Sequence, residues 1–227
     1  MEVSITVIII IVTSIISLIS FGNSNMMDKL IFYPPAVTER NEWYRFITCG
    51  FIHADFAHLI FNMYAFYLFG IGVNHSGVEY QFIYIFHEHG RLLYLLMYIA
   101  ALAICLIPTY SNNKNNAQYR SLGASGAVSA VVFASILFNP MGYMGLIFIP
   151  VYLVSFLFGL VYLAATYYFD KRGNSNINHS AHLWGALFGL VFIIFACNWF
   201  GHYPVLSIFL EQLKNFDWSK VVVTRGF

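Results

Sequence analysis

Apolar residues run along this chain in long blocks divided by shorter polar stretches, without the alternation of a half-buried strand or the single apolar face of a soluble helix. Crossing about 30 Å of hydrocarbon takes roughly 20 apolar residues, because only a helix satisfies its own backbone hydrogen bonds there. Six blocks are suited to such a crossing, namely Val3–Phe21, Ala57–Tyr84, Leu92–Pro108, Leu122–Phe138, Leu146–Phe169 and Ala181–Phe200. The pattern predicts an all-α, polytopic membrane protein, a six-transmembrane-helix bundle forming one membrane domain over residues 1–227. The third and fourth blocks are short enough to depend on their neighbours. Asn74-His75-Ser76-Gly77 and Glu79 interrupt the second and could mark its end.

The connections hold most polar residues. Residues 22–56 form a long first loop, and a structureless loop of that length is uncommon and usually functional. Its end, Glu42-Trp43-Tyr44-Arg45-Phe46-Ile47-Thr48, mixes rings and charges as an interfacial segment would. The tail, residues 201–227, is amphipathic at best, and its Lys214, Asp217, Trp218 and Lys220 suit a membrane surface. Glu2 precedes the first block without any basic residue, and no small-x-small cleavage site follows, so a retained helix is expected rather than a signal peptide.

Composition agrees with the pattern. The chain is 59% hydrophobic and 9% charged, with a mean hydropathy of +0.70, against about 25% charged in an ordinary soluble domain. A net charge of +1 on scattered side chains offers no field for nucleic acid. Cys49, Cys105 and Cys197 form neither a CxxC motif nor an even-numbered framework and read as small hydrophobes. No cofactor is expected.

The second, fourth and sixth blocks enter the membrane from one face. Their starts deliver His58 with Asn62, Ser125 within Gly123-Ala124-Ser125-Gly126, and His182 within His179-Ser180-Ala181-His182. Ser125 lies a few residues into its helix, about 5 to 10 Å deep at 1.5 Å per residue, where water can reach. Ionisable groups at such depth are costly and mark function by default, although any single histidine could simply bond a neighbouring helix. His182, Gly185 and Gly189 fall at i, i+3 and i+7, and Gly126, Ala130 and Ala134 form a second small-residue stripe. Such stripes let membrane helices approach closely, which would bring the serine and the histidine within reach.

These motifs, in this order, resemble the rhomboid intramembrane serine proteases of the basic six-helix type. The family's HxxxxHxxxN stands here as His53 to Asn62, its GxSG as Gly123 to Gly126, its AHxxGxxxG as Ala181 to Gly189, and its loop Trp and Arg as Trp43 and Arg45. The resemblance implies Ser125 as nucleophile, His182 as general base, and His58 and Asn62 as contributors to an oxyanion site, with Gly123 leaving room for substrate. His53 and Glu79 would be structural. The implied activity is cleavage of transmembrane segments of membrane-protein substrates within lipid, without metal or cofactor. By analogy, the fifth helix and the Asp170–Ser180 loop, with Gly173, Asn174, Ser175 and Asn176 as a lid, would gate lateral entry. Some members stack the base on an aromatic residue one turn after the nucleophile, whereas this chain has Ser129 there.

The chemistry fits the residue types. A serine hydroxyl attacks only as a base removes its proton, and an imidazole with a pKa near 6.5 suits that role. Asp55 and Asp170 lie on the same face, but no motif pairs either with His182, so a Ser–His dyad is expected rather than a triad. Two alternatives stand beside the protease. One is a non-proteolytic rhomboid-like protein that binds transmembrane clients. The other is a metal site drawing on His53, His58, His179 and His182, although HExxH and Cys-His clusters are lacking.

Orientation evidence conflicts. Lys29, Arg40, Arg45, Lys114, Arg120, Lys171 and Arg172 lie on the active-site face, against Arg91, Lys214, Lys220 and Arg225 on the other. Charge bias alone would turn the site inward. The resemblance implies a bacterial cell (inner) membrane, with a cytoplasmic N-terminus and a site open to the extracytoplasmic side.

Overall fold

A computed structural model describes residues 3–145, 151–172 and 177–224. The first helix, α1 (Ile5–Phe21), begins where the Ser4 side chain accepts the Val7 N–H. Its polarity is the inverse of a soluble helix. Thr6, Thr13, Ser17 and Ser20 are buried beside Ile9, whereas Ile8, Ile11, Ile15 and Ile19 are exposed. A helix with lipid outside and close neighbours inside has this distribution.

The long first loop has structure of its own, in α2 (Ser24–Leu30), α3 (Pro34–Arg40) and α4 (Arg45–Thr48). Arg45 is buried and organises it. Its Nη1 donates to the carbonyls of Asp28 at 2.7 Å and Ile31 at 2.6 Å, and its Nε pairs with Glu42. The guanidinium thereby satisfies carbonyls at the end of α2 that no intrahelical donor reaches. Trp43 stacks on Phe46 at 5.9 Å, and both rings meet Tyr110.

The second expected helix, Ala57–Tyr84, is two. Asp55 caps α5 (Phe56–Gly70) by accepting the His58 N–H at 2.8 Å, and the chain then leaves helical geometry. Gly72, Asn74 and His75 take positive φ, and the Gly77 N–H closes the turn on the Ile71 carbonyl at 2.6 Å. A new helix, α6 (Val78–Phe86), follows, and its first turn carries buried Glu79. That carboxylate accepts from Ser4 Oγ, from Ile5 N at 2.8 Å, from Thr6 N at 2.9 Å and from Thr6 Oγ1 at 2.7 Å. An anion at a helix N-terminus is favourable, so the break locks α6 to the start of α1.

The third block also divides, into α7 (Gly90–Ile104) and, past a bend at Cys105 and Leu106, α8 (Ile107–Asn113). The central helix is α9 (Ser125–Phe138). It is buried along almost its whole length and touches α5, α6 and α7.

The fifth block, expected as one helix over Leu146–Phe169, is corrected at Val151–Val154, which form a strand, while residues 146–150 lie outside the described residues. Two strands, β1 (Tyr143–Gly145) and β2 (Val151–Val154), precede α10 (Ser155–Arg172). Val151, Tyr152 and Val154 are of the β-branched and aromatic types that suit a strand. The chain continues as α11 (His179–Trp199), α12 (Val205–Lys214) and β3 (Val222–Thr224), the last pairing antiparallel with β2. The tail is therefore more than a surface segment. Val205 is buried, Phe209 and Leu213 pack into the core, and α12 lies against α9 and α11.

Phe56–His75, Val78–Asn113 and His179–Trp199 are long and apolar enough to cross a membrane, and Ile5–Phe21 and Ser125–Phe138 are shorter apolar helices. The lid residues Gly173, Asn174, Ser175 and Asn176 lie outside the described residues.

Candidate active site

The site forms where α9 and α11 cross, in the most extensive helix contact of the molecule. Glycines set its closeness. A Cβ on Gly185 would run into the Gly126 carbonyl, and one on Gly189 into the Ala130 carbonyl. With nothing but hydrogen on those faces, the backbones touch and the side chains at the mouth of the crossing meet. His182 Nε2 lies 2.7 Å from Ser125 Oγ. For Nε2 to accept the hydroxyl proton, the imidazole carries its own proton on Nδ1.

Asn178 fixes the start of α11. Its side-chain oxygen accepts from Ala181 N at 3.0 Å and from Thr109 Oγ1 at 3.1 Å, while its amide donates to Ser121 Oγ at 3.2 Å. One cap thus ties α11, α8 and the segment before Ser125. The sequence signal was present, since Asn immediately before an apolar run marks a helix start, but its two long-range bonds were not foreseen.

The segment leading into α9 is held against the first loop. Ser121 exchanges backbone hydrogen bonds with Phe32, and Gly123 N donates to the Cys49 carbonyl at 2.9 Å. His53, fully buried, completes the attachment. Ser17 Oγ donates to the Phe51 carbonyl at 2.9 Å, so at the same distance it accepts the His53 Nδ1–H. Nε2 is left to accept Ala124 N–H at 3.4 Å. A neutral ring is required throughout. Burial, with a smaller contribution from neighbouring His58, pushes the His53 pKa down to about 3.

His58 turns its edge toward the same segment. Ala54 N–H donates to its Nδ1 at 3.4 Å, which puts the ring proton on Nε2. Gly123 has φ +111, and a Cβ there would stand 2.7 Å from His58 Cε1 and 2.9 Å from Nε2. Only glycine satisfies both demands. Asn62, one turn after His58, is buried and donates one amide hydrogen to the His58 carbonyl at 2.9 Å. No side chain caps α9, so the N–H groups of its first turn have no side-chain acceptor there.

Of the residues singled out in the sequence, Ser125, His182, His58, Gly123, His53 and Asn62 gather around this point, with Gly126, Gly185 and Gly189 behind them. Trp43 and Arg45 belong to the first loop. Ser129 bonds Tyr162 Oη of α10 at 3.0 Å, a link from the site to α10 that the sequence did not disclose. Among the described residues, no group of three or more His, Cys, Asp or Glu side chains is arranged to hold a metal ion.

A polytopic helical membrane protein carrying a hydrogen-bonded Ser–His pair at a helix crossing is the class this fold and site define. Residues 40–199 match the Rhomboid domain, and the chain belongs to the rhomboid family. It is 32% identical over 145 residues to RHOMBOID-like protein 12, mitochondrial, of Arabidopsis thaliana, covering 62% of this chain and 42% of that protein. It is 29% identical over 206 residues to the Presenilin-associated rhomboid-like protein, mitochondrial, of Rattus norvegicus, and 27% over 207 residues to that of Homo sapiens; each match covers 88% of this chain and 48% of the relative. The chain thus spans less than half the length of these curated relatives. Their names place them in mitochondria, so the expected bacterial inner membrane finds no support, while membership of an integral membrane family stands.

Proposed function

We propose that this chain is a serine endopeptidase that cuts transmembrane segments of membrane proteins, using a Ser125–His182 dyad within a single six-span membrane domain. The observation that carries the reading is the 2.7 Å separation of Ser125 Oγ and His182 Nε2. As Ser125 attacks the scissile carbonyl, His182 takes its proton at Nε2 and later returns it to the leaving amine. Water then enters, activated by the same imidazole, and releases the acyl group. Asp55 is engaged in capping α5, which supports a dyad without an acid partner.

Charge developing on the substrate oxygen needs donors in place beforehand, each worth about 3 kcal/mol. His58 Nε2–H, the second amide hydrogen of Asn62 and the first-turn N–H of Ser125 supply them, aided by the positive end of α9. Gly123 gives the substrate backbone room beside His58. The N-terminus and the mouth of the dyad are assigned to opposite sides of the membrane, which tags at the two ends of the chain would report.

A fluorophosphonate probe and a panel of single-span substrates test the function in purified protein. Wild type is expected to label at Ser125 and to cut at least one substrate, and Ser125→Ala to do neither while remaining folded. Cleavage by purified Ser125→Ala would reject the assignment.

A further inference from the structure

The position one turn after Ser125 carries no ring, because it is Ser129, whose hydroxyl is occupied by Tyr162. The hydrogen bond to Ser125 holds only the Nε2 corner of His182, leaving the plane of the imidazole to be set by other contacts. The ring that meets it is His179, one turn earlier on α11, with centroids 6.1 Å apart and planes at 74°. His179 itself stacks on Phe169 of α10 at 5.4 Å and 28°. Both geometries lie in the attractive range for aromatic pairs, edge-to-face in the first and near-parallel in the second. Three rings therefore run in series from the last turns of α10 to the dyad.

The first of those rings stands in the outer, less buried turns of α10. The buried residues of α10 are Ser155, Phe156, Gly159 and Thr166, three of them in its first turns, while Tyr167, Tyr168 and Phe169 are exposed. Any displacement of the C-terminal end of α10 carries Phe169 with it and parts the ring contact between Phe169 and His179.

We propose that His179 is a positioning residue that orients the His182 ring and takes its own place from Phe169, so that the dyad is aligned only while the end of α10 lies against the start of α11. The proposal rests on the protease reading and adds to it a coupling: the helix beside which a substrate would enter also controls the alignment of the base. It also answers how a chain with Ser129 orients its base.

The test is the rate at which a small fluorophosphonate labels Ser125 in the purified full-length chain, measured with the thermal midpoint of each variant. His179→Ala and Phe169→Ala are each expected to slow labelling about 3- to 10-fold, the range that the loss of one aromatic pair corresponds to. The double variant should be no slower than the slower single variant, because both remove one series of contacts. His179→Phe, which keeps a ring, should label within about twofold of wild type. With a transmembrane substrate the loss in His179→Ala should fall on kcat and leave KM unchanged.

His179→Ala labelling at the wild-type rate would overturn the proposal. So would multiplicative losses in the double variant, or a loss that follows the thermal midpoint and is not restored by His179→Phe. Wild type that fails to label at all would instead sink the protease reading, which separates the two failures.

Discussion

Gly185→Ala puts the α9–α11 crossing to the sharpest test, because the added methyl acts one turn from His182 and directly on the neighbour of Ser125. Its Cβ would collide with the Gly126 carbonyl oxygen and stand 2.8 Å from the carbonyl carbon and 3.1 Å from Cα. Carbon packs best at about 3.5–4.0 Å from carbon and little closer to oxygen, so relieving the collision with the carbonyl oxygen requires the backbones to part by roughly 1–1.5 Å. Added to the 2.7 Å between Ser125 Oγ and His182 Nε2, that opening stretches the bond past about 3.2 Å, where its directing effect fades. Overpacking of this kind costs about 1–3 kcal/mol of stability, whereas misplacing a catalytic group by about 1 Å costs about 100-fold in rate. Gly185→Ala should therefore fold, with a lowered thermal midpoint, and label with fluorophosphonate about 100-fold more slowly than wild type. Gly189→Ala meets Ala130 one turn deeper, its Cβ 2.7 Å from the Ala130 Cα; it should lose similar stability and only about 10-fold in labelling, because the strain is farther from the reacting atoms. A Gly185→Ala protein that labels within twofold of wild type, or a Gly189→Ala protein that is the slower of the two, would refute close approach at this crossing as the source of dyad alignment.

Glu79→Ala strands donors from Ser4, Ile5 and Thr6 at the start of α1 and should cost roughly 3 kcal/mol or more by thermal or denaturant unfolding in detergent; an unchanged midpoint would show that the carboxylate does not anchor α1. His53 makes the fold acid-sensitive. Its folded pKa of about 3 lies below the ordinary value near 6.5, so as pH falls between those values the unfolded chain takes a proton that the native ring refuses. Stability contributed by the neutral ring is present above about pH 6.5 and declines below it, by about 2 kcal/mol at pH 5. The stability of His53→Gln should fall less steeply between pH 7 and pH 5 than that of wild type, and parallel pH curves for the two would reject a neutral His53 beneath the nucleophile segment.

What could be read from the sequence, and what could not, follows from the range of the interactions. Ser125 and His182 stood out because a polar residue at the mouth of an apolar block has few ordinary explanations, and the stripes through Gly126 and Gly185 said which faces could meet. Hydropathy could not separate strand from helix in the fifth block. Val151 to Val154 are as apolar as the helix that follows, and what makes them a strand is pairing with Tyr143 to Gly145 on one side and Val222 to Thr224 on the other, the latter far along the chain. The divided second helix was half legible, since Asn74 to Gly77 and Glu79 marked an interruption while the reason for it, Glu79 reaching the start of α1, lay in a distant segment. The same limit explains the orientation of the base. Ser129 showed locally that an aromatic support was missing, but its replacement by His179 and Phe169 depends on how α10 rests on α11, and no spacing within either helix records that contact. Local chemistry therefore named the proposed reacting pair, and long-range packing determines whether the pair is aligned; that is why substitutions at Gly185 and His179, which carry no part of the proposed reaction, are expected to act on its rate.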